Sequence, residues 1–344
     1  MLWLVGALLV FCLAATAHVL FWGTHYRLAL PYALVEEIPT PDGSAIELRR
    51  VTPSEVLQGA QVPVLLVHGI AANHRNLDLD EEHSLARYLA ARGLDVWLVT
   101  LRCGLPRTPR SLVRLDALRD IDVPLAIAEV LRRTRAESLD VVGFSLGGLL
   151  ASSALLRRVP EGAVRRLVSL SAPTLVAENT SFWLFARLLA SVAGTLPLRT
   201  LGLLALPWVH WVWTPVHRLL YNANNMDSRA VNLALANVVQ NVATRLIRDL
   251  IEARQAGVSE EDWSRIRALN VPVLFITGSR DPFTDSVGTA ALCRAWGADT
   301  GCVKSSLCVG HGSFGGSDFG HVDLALGGNA ARQVFEAIFQ FLRS

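Results

Sequence analysis

A serine, an aspartate and a histidine stand in this sequence in an order and in local settings suited to nucleophilic catalysis. Ser145 lies in Gly143-Phe-Ser-Leu-Gly147, a Gly-x-Ser-x-Gly turn that follows an apolar run and precedes a helix-forming one. A serine hydroxyl is a weak nucleophile at neutral pH. It needs an imidazole to take its proton and a carboxylate to orient that imidazole and offset its charge. Asp281 follows Gly278, where the apolar run from Val271 ends, and His321 follows in Gly320-His-Val-Asp.

Each partner has a rival nearby. Asp285 competes with Asp281, and capping a helix is the ordinary use of either. His311, in Val-Gly-His-Gly-Ser, competes with His321; His321 is preferred because it stands just before the C-terminal helix expected over Ala330 to Leu342. The tetrahedral intermediate also needs hydrogen-bond donors. The run Val62 to Val67 ends in His68-Gly69-Ile70, so the backbone N–H groups of Ile70 and Leu146 are expected to converge on one oxygen. His68 itself is expected to orient that loop through a hydrogen bond rather than to take part in the reaction.

The elements that must hold these groups are legible as runs. Short, almost wholly apolar segments at Val62 to Val67, Asp95 to Thr100, Asp140 to Gly143, Arg166 to Leu170 and Val271 to Thr277 suit strands buried on both faces, as in a parallel sheet. Between them, Glu81 to Arg92 and Leu118 to Arg133 carry apolar residues at helical spacing. Strand and helix alternate, so the class is α/β, a mostly parallel sheet flanked by helices. A hairpin over residues 34–51, turning at Pro41-Asp-Gly43, opens it.

The alternation breaks between about 176 and 257. Phe182 to Leu189, Leu201 to Trp213 and Ser228 to Arg254 read as helices with no strand between them, a helical cap above the C-terminal edge of the sheet. Trp183, Trp208, Trp211 and Trp213 crowd this segment, either packed inside the cap or facing a lipid or acyl chain.

Residues 2–22 carry no formal charge, close to the roughly 20 residues a helix needs to cross a bilayer. A retained membrane anchor is favoured because no Lys or Arg precedes the apolar run. Ala15-Thr-Ala17 keeps export after signal cleavage as the alternative. The organisation expected is therefore a hydrophobic segment at 1–26, a core at 27–175 and 258–344, and a cap at 176–257. A net charge of +2 with 18 % charged residues gives no footing for a nucleic-acid partner, and 51 % apolar residues favour an apolar one. Cys293 and Cys302 are readable either as a bridge or as free thiols.

Taken together, His68-Gly69, Gly143-Phe-Ser145-Leu-Gly147, Asp281 and His321 resemble the α/β-hydrolase superfamily, over residues 34–344. Asp122-Val-Pro-Leu-Ala-Ile and Gly320-His-Val-Asp-Leu-Ala-Leu-Gly327 are similar to its acid-lipase and polyhydroxyalkanoate-synthase-like branch. The resemblance implies acyl-ester or thioester chemistry beneath a helical cap. The polyester synthases use cysteine, and the dehalogenases and epoxide hydrolases aspartate, where this chain has Ser145. The expected function is hydrolysis of a lipophilic acyl ester with no metal or organic cofactor. Two alternatives stay open: an acyltransferase or thioesterase on the same triad, and a catalytically silent, membrane-tethered binding module of the same fold.

Overall fold

Ten strands occur in the computed structural model, which describes residues 2–53, 55, 57, 61–175, 187–188, 190–191, 194–209, 215–310 and 318–344. They are β1 (Leu34–Pro39), β2 (Ala45–Arg50), β3 (Pro63–Val67), β4 (Asp95–Thr100), β5 (Leu139–Phe144), β6 (Val164–Leu170), β7 (Thr195–Leu196), β8 (Val242–Ala243), β9 (Val273–Gly278) and β10 (Lys304–Val309). Eight form one sheet in the order β1-β2-β4-β3-β5-β6-β9-β10, antiparallel at β1-β2-β4 and parallel across the rest. The expected α/β class therefore holds. Besides a single turn at Leu115–Ala117, the α-helices among the described residues are α1 (Leu2–His25), α2 (Leu85–Ala90), α3 (Val123–Thr134), α4 (Leu146–Leu155), α5 (Leu198–Ala205), α6 (Pro215–Leu220), α7 (Ser228–Asn237), α8 (Thr244–Ala256), α9 (Glu260–Ala268), α10 (Ser286–Ala295), α11 (Asp323–Leu326) and α12 (Glu336–Arg343).

Because side chains alternate across a strand, each central strand feeds two cores. Val64, Leu66, Val96, Leu98 and Val142 pack on one face with Leu85 and Leu89 of α2 and Ile338 of α12. Leu65, Val67, Trp97, Val99 and Val141 pack on the other with Val123 and Ile127 of α3, Leu150 and Ala154 of α4, and Ile266 of α9. Burial on both faces is why these strands read as unbroken apolar runs.

The chain goes from β3 outward to β4 and then returns to β5 on the other side of β3, so the strand order reverses between β3 and β5. In open α/β sheets the crevice outside the carboxyl ends of the strands at such a reversal is where ligands bind. Val67 and Gly143 are paired at that edge.

The structure departs from the sequence reading in four places. The segment expected to be purely helical contains β7 and β8, which pair with each other, and β8 divides the long run at 228–254 into α7 and α8. The helix expected from Glu81 starts only at Leu85, since Asp80 Oδ1 accepts from the N–H groups of Glu82 and His83 and holds them in a turn. The stretch from Leu201 starts earlier, at Leu198, and its helix ends at Ala205, ahead of Pro207. β10 leaves no apolar run in the sequence because it is an edge strand, two of whose six residues are serines and one of which is buried. Trp183, Trp211 and Trp213 lie outside the described residues. Cys293 and Cys302 are free thiols.

The segment between β6 and α9 is fastened to both loops that flank the β3/β5 edge. On one side, Gln240 N–H donates to Ala71 O (2.8 Å) and Asn73 Nδ2 to Asn237 O (2.9 Å), while Leu196, Val242 and Ile247 pack on Ile70 and Ala71. On the other, Val322 N–H donates to Leu220 O (2.9 Å), and the side-chain amides of Asn222 and Asn225 donate to Asp318 O. The C-terminal end of α1 joins the same segment: Val19, Trp22 and Tyr26 pack with Leu203, Leu206, Leu235 and Ala236.

Candidate active site

The turn from β5 into α4 puts Ser145 at φ 53° and ψ −122°, a strained conformation for a residue with a side chain. Gly143 and Gly147, by contrast, have ordinary φ values, and what they supply is proximity. A Cβ on Gly147 would stand 2.3 Å from Val67 O, and one on Gly143 2.5 Å from the Gly148 backbone. The close approach of β3, β5 and α4 is what presses Ser145 out of the regular backbone.

Three chain-distant side chains meet there. His321 Nε2 lies 2.9 Å from Ser145 Oγ, placed to accept the hydroxyl proton. His321 Nδ1 lies 3.1 and 3.0 Å from the two carboxylate oxygens of Asp281. All three residues are buried. Phe144 and Phe283 pack against the imidazole, with ring centroids 5.0 and 4.6 Å away. Burial on its own would raise the Asp281 carboxyl, but the charge of His321, hydrogen bonds from His321 and Ser171, and the Phe283 N–H (2.9 Å) together hold it below the ordinary carboxylate range. A hydroxyl proton can pass to an imidazole in this geometry while an ionised carboxylate offsets the resulting charge.

The β3 loop closes the other side. A Cβ on Gly69 would be 3.1 Å from the Ser145 Cβ, so Ile70 begins directly beside the hydroxyl. Gly69 N–H is held by Asn76 Oδ1 (3.1 Å), and among the described residues neither Ile70 N–H nor Leu146 N–H is engaged by a partner. Leu146 is the first residue of α4, where N–H groups are free of the helix ladder.

His68 stands in the same loop and does not reach Ser145. Its Nε2 accepts from Leu101 N–H (3.0 Å), which leaves the proton on Nδ1 to donate to Gly69 O (2.7 Å). Complete burial pushes the imidazole down to about 4, so it is neutral near pH 7, and it ties β3 to β4 as a loop-orienting group. Asp285 is an N-cap, accepting from the N–H groups of Val287 (3.0 Å) and Gly288 (3.1 Å) of α10. His311 lies outside the described residues. Asp122 is remote in role: it is fully buried against the guanidinium of Arg102 (2.7 Å), which also reaches Asp42.

Two residues at the site went unread in the sequence. Ser171, the first residue after β6, has φ 54° and is wholly buried; its hydroxyl donates to Asp281 Oδ2, and its Oγ is 3.0 Å from His321 Nδ1. The only sequence signal was a polar residue closing an apolar run at the C-terminal edge of the sheet. Asp323 is buried beneath the His321 turn. Burial pushes its carboxyl up, against hydrogen bonds from Asn225 Nδ2 (2.8 Å) and from the N–H groups of Asn222 and Gly320 (each 3.1 Å). It lies inside the quoted Gly320-His-Val-Asp motif, but nothing in the motif disclosed its partners.

A model of the α/β hydrolase fold family matches residues 62–314. Among curated proteins, one of Schizosaccharomyces pombe with the name "Probable lipase C14C8.15" is 27 % identical over 162 residues, 42 % of this chain and 35 % of that protein. The chain thus spans about a third of that relative's length. Solved structures with a similar fold include a soluble variant of monoglyceride lipase from Saccharomyces cerevisiae, with TM-score 0.62 and 15 % identity over 92 % of this chain and 97 % of that one. They also include an enol-lactonase from Burkholderia xenovorans, with TM-score 0.60 and 14 % identity over 90 % and 100 %. An esterase from Exiguobacterium antarcticum gives TM-score 0.56 and 15 % identity over 90 % and 100 %. At these identities the likeness is one of fold.

Proposed function

The chain belongs to the α/β hydrolase fold family, and from that premise we propose that it is a serine hydrolase cleaving a lipophilic carboxylic ester through an acyl-enzyme. The observation that carries the reading is the continuous chain of contacts from Ser145 Oγ through the His321 ring to Asp281. Ser145 Oγ attacks the carbonyl carbon as its proton passes to His321 Nε2. The carbonyl oxygen becomes an oxyanion facing the N–H groups of Ile70 and Leu146, and Asp281 offsets the imidazolium. Collapse returns the proton from Nε2 to the leaving alkoxide. Water then repeats both steps on the acyl-enzyme, releasing the acid and restoring Ser145.

The same proposal assigns 27–175 and 258–344 to the core and 176–257 to a cap. Its support is the double fastening of that segment to the Ile70–Asn73 loop and to the His321 turn, which brings it to the edge where Ser145 stands. It also assigns residues 1–26 as a retained anchor. Trp3–His25 is long and apolar enough to cross a bilayer, and the C-terminal end of α1 packs on the segment assigned to the cap through Val19, Trp22 and Tyr26. A membrane-held enzyme with an apolar cap suits a lipophilic ester.

Turnover of a p-nitrophenyl ester series by the full chain tests the reading. Wild type should release p-nitrophenol and free acid even with a competing alcohol present, while Ser145→Ala and His321→Ala should be reduced at least a thousandfold. Transfer of the acyl group mainly to the alcohol would identify an acyltransferase instead. A folded wild type without turnover would favour the binding module.

A further inference from the structure

The segment from Leu198 to Val209 contains a single charged residue, Arg199, and its guanidinium is turned inward to donate to Val239 O (3.3 Å). Inward, the segment packs Leu203 and Leu206 with Leu235 and Ala236 and with Val19 and Trp22 of α1. Its other edge carries Leu201 and Ala205 of α5 and, just past the end of the helix, Trp208; all three are exposed, Leu201 by 54 % and Trp208 by 51 %. Large apolar side chains left exposed together mark a surface that meets a membrane or a partner, and α5 has a core on one side only.

Its position relative to α1 says what covers the other side. The His18 ring stacks on Trp208, with centroids 5.3 Å apart and planes 8° from parallel. His18 precedes His25, the last residue of α1, by seven positions, which places Trp208 about 10 Å below the end of the helix at 1.5 Å per residue. Helices that lie in a membrane interface bury their apolar face by roughly 5–10 Å. Away from Val19 and Trp22, α1 is itself exposed, with Leu13, Leu20 and Phe21 each more than half so. A bilayer entered by α1 therefore reaches the level of Trp208.

We propose that Leu201, Ala205 and Trp208 form a bilayer-contact surface that seats the insertion in the headgroup–acyl boundary of the leaflet from which α1 emerges. Two apolar surfaces joined at one stacked pair are covered by the same phospholipid, and the site below the insertion then faces the leaflet. This rests on the part of the foregoing proposal that retains α1 as an anchor. It deepens that proposal by naming the route of the ester, from the bilayer rather than from water.

The test uses the full chain reconstituted in phosphatidylcholine vesicles, with acyl chains either brominated near their middle or unmodified. The fluorescence difference between wild type and Trp208→Phe isolates Trp208. The expected result is quenching of that component by about twofold or more in the brominated lipid. An unquenched component overturns the surface, and that is also the outcome if a second copy of the chain covers this face. Retention on the vesicles after a carbonate wash reads the anchor separately, so an anchored but unquenched protein defeats this inference alone. Leu201→Asp, at a position outside both cores, provides a second arm. Its turnover of a vesicle-held long-chain ester, relative to a soluble short-chain ester, should fall about tenfold; an unchanged ratio overturns the proposal.

Discussion

Ser171 donates its hydroxyl to the carboxylate of Asp281, 110 positions further along the chain, from a backbone conformation at φ 54° that side chains rarely adopt. The bond favours the ionised carboxylate, and the same oxygen lies within reach of His321 Nδ1. Hydrogen bonds to charged groups contribute about 1.5–3 kcal/mol. Ser171→Ala should therefore lower kcat about ten- to a hundredfold with KM little changed, and should move the acid limb of the kcat profile to higher pH. A variant with wild-type kcat and an unmoved acid limb would remove Ser171 from the account.

The close approach of Gly69 to Ser145 makes a second position informative. In Gly69→Ala the new methyl would sit 3.1 Å from the Ser145 Cβ and 3.2 Å from Phe144 Cδ1. Either the hydroxyl or the Ile70 N–H must shift. Loss of one oxyanion donor costs about a hundred- to a thousandfold in turnover, so kcat should fall by at least tenfold while the thermal midpoint moves little. Equal kcat in the two proteins would argue that Ile70 does not serve the oxyanion.

Gly147→Ala should behave differently. Its methyl meets backbone, the carbonyl oxygens of Val67 and His68 at 2.3 and 2.7 Å, which no rotamer can relieve. Overpacking of this kind costs about 1–3 kcal/mol, so the urea midpoint should drop clearly along with activity.

His68 carries a signature in the pH dependence of stability. Its folded-state value is about 4, against an ordinary 6.5, because burial disfavours the charged ring. Between those values the unfolded chain binds the proton and the folded chain does not. The stabilisation is therefore complete above pH 6.5 and is lost as the pH falls towards 4, a total of about 3 kcal/mol at 1.4 kcal/mol per pH unit. Urea unfolding at pH 4.5, 5.5 and 6.5 should show a slope that His68→Gln reduces by about one proton. A slope unaltered by the substitution would mean that His68 is not held neutral.

What could be read from the sequence follows from burial and from short-range chemistry. β3, β4 and β5 announced themselves because both faces are buried, and Gly143 and Gly147 marked the turn because only glycine fits where two elements touch. Asp281 and His321, which the fold brings to Ser145, each follow a recognisable run or motif. β10 and the β7–β8 pair were illegible: one is a solvent-facing edge and the others are two-residue strands fixed by long-range pairing. Ser171 and Asp323 meet partners that only the folded chain brings near. Asp122 shows the converse, a motif residue whose partner, Arg102, gives it a place in a buried ion pair rather than at the site.

Covalent labelling by a fluorophosphonate probe is the sharpest test of Ser145 as the nucleophile. The wild-type chain should be labelled, with the adduct mapped by mass spectrometry to the peptide carrying Ser145. Ser145→Ala should be unlabelled, and His321→Ala, lacking its proton acceptor, should be labelled far more slowly. Labelling that persists in a folded Ser145→Ala protein would contradict that role.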